Sequence, residues 1–286
     1  MNYYIDLLPF SISKKHPYNF DKNGVILSKI PYTQEYHYHT TSIASYALKN
    51  SDNPQIFNDQ IQWLVQNIKD NGAYEHNFSF PYYNKFPVPW IGGLCQGLAI
   101  SALIRAYKKS KKKTYLEIAE KAFSCLNREI KDDGCLFIDG KGNKWIEEYP
   151  IKPQILNGFI YSLFGIYDLY KTNQNKYVKK LFDECINTIQ TNLNSYDINY
   201  WSKYDLKNQL PSTMFYHKVH VKQLDALHRI TKVKMFKEYS YRWNKCMDNR
   251  FYQIKAKIKR NKSIIRKHGI SKSINRYVQR RRWLNG

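Results

Sequence analysis

The sequence predicts an all-α protein of the α/α-toroid class, an incomplete (α/α)4 barrel with a small β-hairpin in one rim loop and a basic helix at its C-terminal end. Three observations carry this. Helix-length segments that are apolar on nearly every face alternate with segments that are apolar on one face only. Each all-round apolar segment is followed by a short link and preceded by a long one. Gly and Pro number only 12 and 10 in 286 residues, too few for a low-complexity or collagen-like chain.

Segments 40–49 and 55–69 read as the first helix pair. Segment 91–108, IGGLCQGLAISALIRAYK, is apolar almost all round and is expected to be buried on every side. In 114–131, Tyr115, Ile118, Ala119, Ala122, Leu126 and Ile130 fall on one stripe, with Glu117, Glu120, Lys121 and Arg128 facing away. Segment 155–170, ILNGFIYSLFGIYDLY, is again apolar all round, and Gly158 and Gly165 are expected on one side of it, allowing close helix contact. Segment 176–193 returns to a single apolar face, and 216–231 with 234–248 make the fourth pair. Within the link 132–150, residues 135–138, a Gly-rich turn at 139–143 and residues 144–149 read as a β-hairpin. The domain reading is 1–249 for the toroid and 250–286 for a basic helical extension.

Charge is unevenly placed along the chain. There are 46 Lys and Arg against 23 Asp and Glu, a net charge of +23. No acidic residue follows Asp248, whereas thirteen basic residues lie between Arg250 and the end of the sequence. Phe251, Ile254, Ile258 and Ile265 mark an apolar stripe among them, which Ile270, Ile274, Tyr277, Val278 and Trp283 continue past Gly269. A basic amphipathic helix suits an anionic membrane surface, and its charge would also suit an acidic glycan. No helix-turn-helix, RNA-recognition or zinc-finger motif is present, so nucleic acid is not an expected partner. No apolar run approaches ~18 residues, and no secretory leader is expected. The five cysteines contain no CxxC pair. They are expected to be buried thiols in a reducing cytoplasm, and the tail is read either as a peripheral attachment to the inner face of the membrane or as a solvated helix packed on the body.

In a toroid, all the long links emerge at one rim, together with the N-termini of the inner helices. Tyr36, His37, Tyr38 and His39 precede the first inner segment, and Tyr82, Tyr83 and Trp90 the second. Glu147, Glu148 and Tyr149 precede the third, and Tyr196, Tyr200, Trp201, Tyr204, Lys207 and Tyr216 precede or open the fourth. Aromatic faces and hydroxyls delivered to one mouth make a carbohydrate cleft. His217 and His220 have a spacing that a metal tolerates, but no third ligand is evident. They are expected in substrate contact or core packing.

PWIGGLCQGLAISALIRAY, WIEEYP, ILNGFIYSLFGIYDLY, WSKYDL and FYHKVHVKQLDAL, in that order over roughly 86–245, resemble the C-terminal helical domain of D-glucuronyl C5-epimerases. These enzymes convert glucuronate to iduronate in heparosan-type polymers. The resemblance implies catalytic roles for Glu148, Tyr149, Tyr204 and Tyr216 and a place near the substrate for Asn157. Tyr36, Tyr38, Trp90, Trp201, Lys207, His217 and His220 are the further substrate-binding candidates. Where the family carries Arg three residues after the YDL tyrosine, this chain has Lys207, which neutralises a carboxylate without bidentate geometry.

The chemistry agrees with these residue types. Inverting C5 of a uronate needs a base on one face of the ring and an acid on the other, each with its pKa moved towards the working pH. Glu148 or Tyr149 would serve one face and Tyr216 the other, with Tyr204 and Lys207 holding the carboxylate. The scheme requires no metal or organic cofactor. The expected partner is an anionic glucuronate-containing polysaccharide, and a homodimer is left open. Two other readings stay open: a uronate polysaccharide lyase and a non-catalytic module that binds acidic glycans.

Overall fold

The computed structural model describes residues 18–30, 35–79 and 87–269. Tyr82 and Tyr83 lie outside the described residues, as do the opening segment and the tail positions from Ile270 to Trp283. Among the described residues, eight helices form four antiparallel pairs: α1 (Thr40–Lys49) with α2 (Pro54–Asn67), α3 (Gly93–Ser110) with α4 (Lys113–Leu126), α5 (Leu156–Asn173) with α6 (Lys176–Asn192), and α7 (Met214–Thr231) with α8 (Lys234–Met247). The first member of each pair is the inner one. α1 packs on α3, α3 on α5, and α5 on α7, so the inner helices follow one another around an α/α toroid. A ninth helix, α9 (Arg250–His268), packs on α8.

The inner/outer alternation follows from side-chain distribution. α5 buries residues on every face, including Phe159, Ile160, Leu163, Phe164 and Ile166. α6 buries one stripe, Val178, Leu181, Phe182, Cys185, Ile186 and Ile189, and turns the rest outwards. All five cysteines are free and buried, and no helix among the described residues is long and apolar enough to cross a membrane.

Three of the joints between inner and outer helices share one geometry. α3, α5 and α7 each run 18 residues and end on a left-handed residue, Lys111, Gln174 and Lys232. The amides of those residues donate to the carbonyls of Tyr107, Tyr170 and His228, and one extended residue then starts the outer helix. The joints are tighter than the five-residue links the sequence implies. Asn175 accepts from the amide of Tyr177, and Asn53, ahead of Pro54, caps α2 by accepting from Ile56.

Backbone meets backbone where α3 crosses α5. A Cβ built on Gly165 would lie 2.1 Å from the Gly97 carbonyl oxygen, and one on Gly97 would lie 2.4 Å from the Ser162 Cα. Gly158, expected on the same contact face, does different work. A Cβ there would lie 2.1 Å from the Glu148 Oε2 atom, so this glycine makes room for a carboxyl group rather than a helix.

The expected hairpin forms from β4 (Leu136–Ile138) and β5 (Lys144–Ile146), in the register Leu136↔Ile146, Phe137↔Trp145 and Ile138↔Lys144. Its turn closes on Asp139, whose carboxylate accepts from the amides of Lys141 and Asn143 and from the Trp145 indole. A second sheet, antiparallel β1 (Tyr18–Phe20), β2 (Ile26–Lys29) and β3 (Tyr36–His37), was not anticipated, since strands of two to four residues are too short to show an alternation.

Candidate active site

Residues 147–149 leave β5 and pass across the start of α3. The Gly93 amide donates to the Glu147 carbonyl at 2.7 Å, and a Cβ on Gly92 would lie 2.4 Å from the Glu148 carbonyl oxygen. Only glycines at the head of α3 let the chain pass this close. The Glu147 side chain turns away from its neighbour, and its Oε2 atom accepts the Gln154 amide at 2.9 Å. Glu148 points to the first turn of α5 and rests on Gly158. Both side chains are buried.

The following loop is laced to the 194–213 link. The Leu156 amide donates to the Tyr204 carbonyl, the Tyr196 hydroxyl to the Gln154 carbonyl, and the Lys207 ammonium to the Ile151 carbonyl at 2.7 Å. This lacing sets Tyr204 against the apolar cluster of Ile30, Phe78, Trp90, Tyr149 and Ile155. On its other side the Tyr204 ring meets that of Tyr216, at the head of α7, with centroids 4.8 Å apart. Glu148, Tyr149, Tyr204 and Tyr216 therefore form a connected group across the ends of α3, α5 and α7.

Burial sets the electrostatics here. It pushes the Glu148 carboxyl up to about 7, against a hydrogen bond from Tyr149 that favours the charged form. Burial likewise pushes Glu147 up to about 8, opposed by the Gln154 amide and reinforced by the neighbouring Glu148 charge. Glu148 Oε2, Asn157 Oδ1 and Gln223 Oε1 are buried acceptors without a hydrogen-bond partner. Gln223 donates through its Nε2 atom to the Asn157 carbonyl at 3.0 Å, which places α7 against the same first turn of α5.

The other sequence candidates divide. Trp90 is buried in the cluster beside Tyr149, with one face stacked on His76 at 4.1 Å and its indole donating to the Phe78 carbonyl. Trp201 and His217 stack on each other at 3.8 Å and satisfy their polar atoms within the protein. The Trp201 indole donates to the Ser212 carbonyl, and the His217 Nδ1 atom accepts the Ser202 amide while Nε2 faces the Trp243 carbonyl. That pattern assigns the proton to Nε2, and burial lowers the imidazole to about 4. The pair anchors the Tyr204 link to α7 rather than opening to a ligand. His220 meets the Ser202 hydroxyl through Nδ1 at 2.8 Å and leaves Nε2 buried and unpartnered. Tyr36 and Tyr38 stand at the three-stranded sheet, exposed. Tyr38 stacks on Trp63 and donates to Asp21. Lys207 is exposed, and its charge acts on Glu147.

Two residues that sequence reasoning missed belong to this region. Tyr161 is buried on α5, one turn beyond Asn157, and its phenol is raised by burial and by the charge of Tyr216. In a segment apolar on every face, an inward hydroxyl carries no signal. Ser202 joins His217, His220 and Ser212 in one network, and a serine in a polar link does not stand out from its neighbours.

Residues 66–245 match the family described as D-glucuronyl C5-epimerase C-terminus. The chain is similar to a D-glucuronyl C5-epimerase of Caenorhabditis elegans, 30% identical over 206 residues that cover 63% of this chain and 33% of the relative. It is equally similar, 30% over 176 residues, to an uncharacterized protein of Methanocaldococcus jannaschii, covering 60% of this chain and 56% of that one. It thus spans less than two thirds of the length of either relative. In three dimensions it is similar to a GH76 α-mannanase of Bacteroides thetaiotaomicron, with a TM-score of 0.51 at 8% identity, over 77% of this chain and 61% of that chain. That is a likeness of fold.

Proposed function

Because the chain belongs to the D-glucuronyl C5-epimerase C-terminus family, we propose that it inverts C5 of glucuronate residues, giving iduronate, within an anionic polysaccharide. One observation supports this most. A buried carboxyl near pH 7, Glu148, is hydrogen-bonded to Tyr149, which shares an apolar cluster with Tyr204, whose ring meets that of Tyr216, and acceptors that lack donors lie in the same region. Sugar hydroxyls supply such donors, and ring faces pack on aromatic side chains.

Glu148, as the carboxylate, takes the C5 proton. The electron pair left on C5 delocalises into the adjacent uronate carboxylate, and Lys207 at the loop edge offsets the added charge. Tyr216 gives its phenolic proton to the opposite face of C5. Solvent then removes the proton from Glu148 and returns one to Tyr216. A carboxyl group near pH 7 suits both directions, since one turnover asks it to accept a proton and the reverse asks it to donate.

In heavy water the wild-type chain is expected to place deuterium at C5 of heparosan, read by mass spectrometry, with no product absorbing in the ultraviolet. An unsaturated, absorbing product would mean elimination at C4, and a lyase. Binding without uptake would mean a non-catalytic module. Tyr216→Phe keeps the ring contact with Tyr204 and is expected to cut uptake by roughly 10²-fold or more.

Gly158→Ala gives a test that replaces no reacting group. The added methyl would stand 2.1 Å from Glu148 Oε2 and 2.9 Å from its carboxyl carbon, and the Glu148 backbone cannot retreat past Gly92. Uptake is expected to fall at least ~10-fold, because a carboxylate displaced by about 1 Å loses its alignment. Circular dichroism should show the fold retained, since alanine favours the helix by up to ~1 kcal/mol.

A further inference from the structure

Helix α9 has three faces. Tyr252 stacks on Tyr200 at 5.6 Å, Ala256 is buried against Trp201 and Cys246, and Arg260 donates to the Pro211 carbonyl at 2.7 Å. This face clasps the link that carries Tyr204. Opposite it, Phe251, Ile254, Ile258 and Ile265 are exposed, Phe251 at 67% and Ile254 at 58%. At 3.6 residues per turn these four side chains fall within an arc of about 60°. Lys255, Lys262 and Arg266 border the stripe on one side and Arg250 and Lys257 on the other, all exposed. No acidic residue lies in the helix or after it.

We propose that α9 docks the protein on an anionic lipid bilayer, with the Phe251–Ile254–Ile258–Ile265 stripe lying among the acyl chains and the flanking cations on the headgroups. Charge complementarity selects this occupant. An apolar row bordered on both sides by Lys and Arg has the cross-section of an interfacial helix, and anionic headgroups answer a cationic border in which no carboxylate interrupts. A soluble acidic glycan would use the cations but leave the row of large apolar side chains wet. A second copy of the chain would bring a like-charged border against this one. The Pro211 that Arg260 holds lies three and four positions before Met214 and Phe215, two exposed apolar residues that open α7 next to Tyr216. The proposal does not depend on the epimerase reading.

The test is flotation of the intact chain with vesicles of phosphatidylcholine alone and of phosphatidylcholine mixed with phosphatidylglycerol. It is run beside the double variant Ile254→Ser/Ile258→Ser. Both positions are exposed, so the variant is expected to keep the wild-type melting curve. The wild type is expected to float with the mixed vesicles and to be released by salt, and the variant to bind roughly tenfold less or weaker still. Equal flotation of the two proteins, or no flotation of the wild type, would overturn the proposal. So would binding of the wild type to soluble heparosan but not to vesicles, which makes the face a glycan site. A wild-type dimer that the double variant converts to monomer would overturn it in favour of self-association.

Discussion

Glu148→Gln is expected to lower deuterium uptake into a glucuronate polymer by roughly 10⁴-fold, the upper end of what a positioned acid or base contributes. Glutamine keeps the length and the contact with Gly158 but cannot take a proton. The wild-type rate is expected to rise with pH through about 7, where burial has moved the carboxyl, and the residual rate of the variant to show no such rise. Stability should move the other way. The folded chain holds the Glu148 proton up to about 7, against an ordinary value of 4.5. The group's favourable contribution is therefore complete below about 4.5 and is lost as pH rises through about 7. A gap of that size is worth about 3 kcal/mol. Glutamine does not titrate, so relative to wild type the variant should melt higher at pH 8 than it does at pH 4. Thermal melts at the two pH values check this, and a difference that stays constant between them would mean that the carboxylate is not penalised by its surroundings.

Gly165→Ala is expected to destabilise the scaffold strongly. Its Cβ would meet the Gly97 oxygen at 2.1 Å, the Gly97 carbonyl carbon at 2.7 Å and the Gly97 Cα at 2.8 Å, all of them backbone. No rotamer change relieves that contact, so α3 and α5 must separate along a crossing that also holds Ser162 and the head of the site. Overpacking of this kind costs about 3 kcal/mol, a fall in Tm of roughly 6–12 °C for a chain of this size. Gly140→Ala is the control, since nothing lies within 4 Å of a Cβ there. Its melting temperature should match the wild type, as measured by calorimetry on both variants.

The helices were legible because their two burial patterns leave distinct periodicities, all-round in 155–170 and one-sided in 176–193. The hairpin at 135–149 was legible from its turn, where Asp139 and Gly142 supply the chemistry a tight reversal needs. The sheet β1–β3 left no such trace. At the site, the motifs of the family resemblance and the long links at one rim point to the residues that meet around Tyr204. Neither separated a tryptophan that faces a cleft from one, Trp201, that lies flat on His217. That distinction depends on which partner sits on each ring face, and linear spacing does not encode it. The same limit applied to Gly158: two glycines seven apart are consistent with helix contact, but whether a helix or a carboxyl fills the space is decided by a loop that arrives from ten residues upstream.

The three matching joints after α3, α5 and α7 have a consequence for how such a protein can change over evolution. Each passes from a left-handed residue to one extended residue and straight into the next helix, so an inserted residue there would break the phase between two packed helices. Around these three joints, growth of the chain is directed to the opposite end, where the long connections lie. Those joints hold one pole constant as scaffold, and inserted modules are accommodated most readily at the other.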